Sequence, residues 1–166
     1  TNLFPNLNVL ENVRLVIQSK AGRGFNMFSM ASTHDDLTTP AQEIVERVRL
    51  GDQAHQIVSE LSHGDQRKLE VALLIALDPL VYMFDEPTAG MSVDEAPIVL
   101  DLIAELKGRQ DRSILLVEHK MDVIRTLADR IIVLHNGELA ADGDPATVMA
   151  SDVVQEAYMG RDLADV

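Results

Sequence analysis

Val81-Tyr82-Met83-Phe84-Asp85-Glu86-Pro87 is the stretch on which the fold turns. Its apolar and aromatic residues read as a short strand, and the two acids and the proline end it. An apolar strand closed by acids delivers them to the C-terminal edge of a sheet, where α/β proteins bind ligands. Successive side chains on a strand point to opposite faces. Asp85 and Glu86 can therefore take different tasks, one near a hydrated Mg²⁺ and one near an attacking water.

Downstream of this strand, Ser92-Val93-Asp94-Glu95 reads as a cap for a helix reaching to about Lys107, and residues 113–118 are a second apolar strand. Strand, helix, strand predicts a parallel pair with a right-handed crossover. A helix at 121–128 leads to a strand at 130–135, and Asn136-Gly137 predicts a tight hairpin into 138–141. Asp144-Pro145 and Ser151 open two short closing helices.

Upstream, the chain reads as helical to about Leu77. Asn8-Val9-Leu10-Glu11 has the form of a capping box for a helix at 9–18. Residues 20–36 carry Gly22, Gly24, Ser29 and Ser32 with little periodicity and predict a mobile loop. Thr39-Pro40-Ala41-Gln42 predicts a second helix start, with Pro40 at its first position and an end near Gly51. A short helix at 54–59 and a longer one from Gly64 to Leu77 complete this zone.

Bulk properties narrow the class. The 166 residues are 46% hydrophobic, enough for one sizeable core. The longest apolar run, 71–77, is far short of a membrane span. No secretory leader is visible, and a first residue of Thr1 predicts a processed or truncated chain. Zero cysteines exclude disulfides and thiolate metal sites. A formal charge of -13 disfavours bare nucleic acid and anionic lipid, so any membrane role must run through a protein partner.

Two further elements carry chemistry. Leu61-Ser62-His63-Gly64-Asp65-Gln66-Arg67 precedes an apolar helix. Ser62 and the free N–H groups of a helix start can face an anion, and Gly64 lets a phosphate approach the main chain. His119 follows the second strand after Glu118, at the C-terminal end shared with Asp85 and Glu86. Each element alone is also what an ordinary cap, acidic turn or structural histidine looks like. Their order and spacing together are specific.

That order resembles the nucleotide-binding domain of ABC transporters. Residues 61–66 are similar to the LSGGQ signature, Asp85 and Glu86 to the Walker B aspartate and catalytic glutamate, Ala89-Gly90-Met91-Ser92 to the D-loop, and His119 to the switch histidine. Residues 1–13 resemble the stretch after the Q-loop. The loop at 20–32, Arg67-Lys68-Leu69-Glu70 and the tail at 153–160 resemble ATPase subunits of branched-chain amino-acid importers.

The resemblance implies an α/β fold, a fragment of the P-loop NTPase (ABC ATPase) type. A helical subdomain with the signature would cover 1–78. The C-terminal part of the RecA-like core, with a short antiparallel hairpin and terminal helices, would cover 79–166. It further implies ATP and Mg²⁺ as cofactors and an ATP-hydrolysing importer motor for branched-chain amino acids or related small amides. Glu86 and His119 would be catalytic and Asp85 would serve the metal. Ser62, Gly64, Gly90 and Ser92 would contact nucleotide across a head-to-tail pair of ATPase subunits, homo- or heterodimeric.

Permease subunits in the membrane would be the other partners, docking on 4–77, with no nucleic acid. The location would be cytoplasmic, peripheral on the inner face of the membrane. A non-transport ABC-type ATPase and an inactive truncated fragment are the alternatives. His63, Asp65, Ser92 and Lys120 depart from common family residues. No G-x-x-x-x-G-K-[ST] occurs in the chain, and a Q-loop glutamine would lie before Thr1. The chain alone is therefore expected to bind ATP poorly and not to turn it over.

Overall fold

The computed structural model describes residues 3–22, 35–152 and 154–155. Most of the loop at 20–36 and most of the tail at 153–160 lie outside the described residues. The chain divides into two compact units, Thr1–Val117 and Glu118–Val166.

In the first unit, α1 (Val9–Lys20) packs on α2 (Asp35–Arg47) and α3 (His63–Leu77). Val9 and Val13 meet this core without solvent exposure, as do Val45, Val48, Leu50 and Leu69. Each such side chain contributes about 1.5–3 kcal/mol on burial. Asn8 caps α1 as expected, its Oδ1 accepting the Glu11 N–H at 2.8 Å. Glu11 does not complete the expected box: its carboxylate takes Arg14 Nη2 at 2.6 Å instead.

Helix α2 starts at Asp35, ahead of the expected cap at Thr39, and carries Pro40 in its interior. The proline forfeits one helical hydrogen bond. Leu37, Ala41, Val45 and Val48 nevertheless form one buried stripe across it. Burial of that face outweighs the local start signal. The short helix expected at 54–59 is also absent. Two 3₁₀ turns, Gly51–Gln53 and Val58–Glu60, flank the stretch, which is tied to the entry of α1 by Val58 N–H to Leu7 O (3.0 Å) and Val9 N–H to Gln56 O (3.2 Å).

Asn12 locks that entry. It has no solvent exposure. Its amide donates to Phe4 O (3.1 Å) and Asn8 O (2.9 Å), and its Oδ1 accepts the Phe4 N–H (2.9 Å). Asn12→Ala leaves these groups unmatched and is expected to cost about 1–3 kcal/mol. A lowered denaturant midpoint with an unchanged slope would check it.

Strands β1 (Val81–Asp85) and β2 (Ser113–Val117) pair in parallel, with Asp85 opposite Val117, and α4 (Ala96–Lys107) lies between them in sequence. β1 buries Tyr82 and Phe84, whose rings stack at 6.2 Å. Val81, Met83, Leu115 and Val117 occupy the opposite, exposed face.

The second unit contains α5 (Met121–Leu127), β3 (Ile131–His135), β4 (Glu138–Gly143) and α6 (Pro145–Met149). β3 and β4 form the expected hairpin, with Asn136 at φ 51° and Gly137 at φ 80°, the conformation that an Asn-Gly pair suits. Val133, Val148 and Val154 make its small core. Arg130 grips Asp142 with two bonds, at 2.7 and 2.6 Å, and holds that carboxyl below the usual range. Asp144 caps α6 by accepting the Thr147 N–H at 3.0 Å.

Candidate functional site

The acids stand where the strand pattern predicts. Asp85 is the last residue of β1 and is exposed. Glu86 follows in a left-handed turn at φ 43°, an uncommon conformation for this residue type. Its N–H donates to Val117 O at 2.9 Å, and its carbonyl accepts the Ala89 N–H at 2.9 Å. Thr88, inside this turn, is 1% exposed. The turn is therefore pinned to the end of β2, and the acid pair is held at the carboxyl edge of the parallel strands.

Ser62 is the N-cap of α3, its Oγ accepting the Asp65 N–H at 3.0 Å. The same hydroxyl donates to Asp65 Oδ2 at 2.9 Å. Asp65, the acid that departs from the signature pattern, is not bare: Lys68 Nζ lies 2.5 Å from its Oδ1. Gly64 is buried in the first turn. A Cβ there would come 2.6 Å from Glu95 Oε1, so any side chain at 64 would push the Glu95 carboxylate from its present place. Ser92 donates to Glu95 Oε2 from its N–H (3.1 Å) and its Oγ (2.8 Å). Gly90 takes φ 73° between the acid pair and this turn.

Ser62 and Gly64 are thus brought together with Ser92 through Glu95, and Asp85 with Glu86 through β2. His119 belongs to the second unit. Its N–H donates to Glu118 Oε2 at 2.8 Å, the Lys120 N–H reaches the same oxygen at 3.2 Å, and its ring is largely exposed. Sequence reasoning assigned no role to Lys68 or to the Glu95 carboxylate beyond a cap. A signal existed: Lys68 interrupts the buried stripe Gly64, Val71, Ile75 on α3.

Among the described residues no group of three or more acids and histidines could hold a metal ion. The set fits a strongly hydrated cation that takes one carboxylate from protein and the rest from water and phosphate, as Mg²⁺ does.

Residues 1–89, more than half of the chain, match the ABC transporter family. The high-affinity branched-chain amino acid transport ATP-binding protein LivG of Escherichia coli K12 is 33% identical over 164 residues, covering 96% of this chain and 64% of LivG. BraF of Pseudomonas aeruginosa, also a branched-chain amino acid transport ATP-binding protein, is 34% identical over 117 residues, covering 70% of this chain and 46% of BraF. The glutamate transport ATP-binding protein GluA of Corynebacterium efficiens is 29% identical over 165 residues, covering 98% of this chain and 64% of GluA.

In fold, the chain is similar to an ATP-binding cassette solved as a dimer in a post-hydrolysis state with ADP and Pi (TM-score 0.71, 24% identity, 87% of this chain and 59% of that one). It is also similar to an ATP-binding cassette of an ABC transporter in its ADP conformation (TM-score 0.69, 22% identity, 95% and 64%). The fold is that of the ABC ATPase cassettes, an α/β architecture of the P-loop NTPase type. The chain belongs to the ABC transporter family, and it resembles amino-acid transport ATP-binding proteins along nearly its whole length. It spans 64% of the length of LivG.

Proposed function

We propose that this chain is part of the ATP-hydrolysing motor subunit of an ABC importer for branched-chain amino acids or related small amides. The observation that carries this reading is the acid pair closing β1, pinned to β2, in the same unit as a serine-capped signature helix. The likeness to LivG over 96% of the chain supports the substrate class. In this reading 1–78 acts as the helical, permease-facing part and 79–166 as part of the ATPase core. Two ATPase subunits pair head-to-tail on membrane permeases, and the subunit sits on the inner face of the membrane. No helix among the described residues is long and apolar enough to cross it.

The roles follow from chemistry. Mg²⁺, when bound with ATP, neutralises phosphate charge. Asp85, exposed at the strand end, holds its water shell. Glu86 orients and polarises the attacking water, and its pinned turn fixes the carboxylate's origin. The Ser62 hydroxyl and the first N–H groups of α3 face the γ-phosphate held by the partner subunit. Gly90 and Ser92 lie at the seam between the pair, and His119 reads the γ-phosphate. Closure on ATP and reopening after hydrolysis form a two-state cycle driven by differential binding.

A P-loop lysine and its glycine-rich cradle are not among these 166 residues. Phosphate stabilisation must then come from outside them. The complete subunit is expected to release phosphate from ATP, and this chain alone is not. A steady-state rate in the 166-residue chain clearly above its Glu86→Gln control would contradict that division of labour, and a complete subunit inert towards ATP would end the reading.

A further inference from the structure

Lys68 is 6% exposed, and two carboxylates share it. Its Nζ lies 2.5 Å from Asp65 Oδ1 and 4.0 Å from Glu95 Oε1. Each carboxylate turns its other oxygen to a serine: Asp65 Oδ2 accepts the Ser62 hydroxyl at 2.9 Å, and Glu95 Oε2 accepts the Ser92 hydroxyl at 2.8 Å. The same Glu95 carboxylate rests against Gly64, where no Cβ fits without moving it. One buried ammonium thus stands at the centre of a chain from Ser62 through Asp65 and Glu95 to Ser92.

We propose that Lys68 is a positioning residue that sets the hydroxyls of Ser62 and Ser92 together and keeps the Asp65 charge from opposing an incoming phosphate. The reason is electrostatic. A carboxylate at a helix start is favourable for the helix but hostile to a second anion. Pairing at 2.5 Å in a poorly hydrated position cancels most of its field. Because Lys68 stays paired with Asp65, the Ser62 hydroxyl can turn from Asp65 to a phosphate oxygen without leaving a bare charge behind. Glu95 carries the same adjustment to the 92–95 turn. One lysine therefore couples the signature helix to the loop that follows the acid pair.

This inference rests on the proposed ATP reading for its consequence, but not for the charge cluster. The test has an arm for each. In the 166-residue chain, amide hydrogen exchange is followed at Asp65 and Ser92, whose N–H groups are held by Ser62 Oγ and Glu95 Oε2. Lys68→Met is expected to speed exchange severalfold at both amides, and Lys68→Arg at neither. Unchanged exchange at Ser92 in Lys68→Met would overturn the coupling.

In the complete subunit, Lys68→Met is expected to raise KM for ATP roughly tenfold through the uncovered charge, with kcat changed much less. Lys68→Arg should keep the wild-type KM, and Asp65→Asn combined with Lys68→Met should restore it. A tenfold defect that Asp65→Asn fails to relieve overturns the charge-cancelling role. Should the wild-type subunit not use ATP, the function reading fails and the exchange arm still decides the cluster. If Lys68→Met alone does not fold, the Lys68→Arg and double variants decide: wild-type KM in both, with faster exchange at Ser92 in the double variant only, upholds the cluster, and a raised KM or unchanged Ser92 exchange in the double variant refutes it.

Discussion

Glu86→Gln in the complete subunit is expected to lower ATP turnover by about 10²–10⁴-fold, the usual contribution of a positioned acid–base group. The substitution keeps the length and shape of the side chain and removes its charge and its ability to accept a proton. The backbone that aims the side chain does not depend on the carboxylate. Glu86 N–H to Val117 O and Ala89 N–H to Glu86 O, both 2.9 Å, are main-chain bonds, and they hold the φ 43° turn. Nucleotide binding should therefore survive while hydrolysis stops, and an ATP-stabilised pair of subunits should accumulate. Phosphate release under steady state, together with sizing in the presence of ATP, reads both effects. Turnover within a few-fold of wild type would remove Glu86 from its assigned role.

The second large effect is on stability and lies at Asp78. This residue ends α3 in a left-handed conformation, φ 50°, with its N–H on Leu74 O at 3.0 Å. Its Oδ1 accepts Arg109 Nη1 at 2.7 Å and the Tyr82 hydroxyl at 3.3 Å. Its Oδ2 accepts Arg112 Nη2 at 3.1 Å and Lys20 Nζ at 3.4 Å. Helix α1, the end of α3, strand β1 and the segment between α4 and β2 all meet on this carboxylate.

The Arg112 side chain is largely buried, and its Nε has no hydrogen-bond partner among the described residues, so it relies on Asp78 and Asp111. Asp78→Ala loses charge-assisted bonds and also sets a Cβ-bearing residue without local hydrogen bonding in the left-handed region. Water reaches part of the site and screens the pairs. The expected loss is about 2–4 kcal/mol. Asp78→Asn tolerates the backbone and should lose less. A denaturation midpoint that does not move for Asp78→Ala would contradict the assignment of this hub.

The same residue gives a pH signature. The Arg112 hydrogen bond, opposed by burial and reinforced by Arg109 and Lys20, holds the Asp78 carboxyl at about 2, below its ordinary 3.8. Burial, with the Asp78 charge beside it, pushes the Tyr82 hydroxyl the other way. A carboxyl whose folded value is depressed binds more protons unfolded than folded near that value. Its contribution is fully present above about pH 4 and disappears as the pH falls through about 2. The stability gap between wild type and Asp78→Asn should therefore close over that interval and stay constant from there to neutrality.

Local chemistry made much of the molecule legible. The β-forming residues and terminal acids of 81–87 marked β1 with its observed bounds, and Asn136-Gly137 marked the hairpin, because turn and strand preferences act within a few residues. The Ser62 cap foretold the start of α3, and the order of the short motifs marked the family. Local signals failed where a buried face outweighed them. The stripe of Leu37, Ala41, Val45 and Val48 carries α2 across Pro40, and pairing with the chain before α1 turns 54–60 into loop and 3₁₀ structure.

What no local pattern could reveal are the contacts that set charges. Asp78 meets Lys20, Arg109 and Arg112 across 31 to 58 positions of chain. Lys68 meets Glu95 across the strand that carries the acid pair. Electrostatic partners are chosen by distance in space and by exclusion of water, and neither exists until the helices pack. Residue order was enough to place the acids, the capped helix start and the family; packing alone chose the counter-charges that tell those groups how to behave.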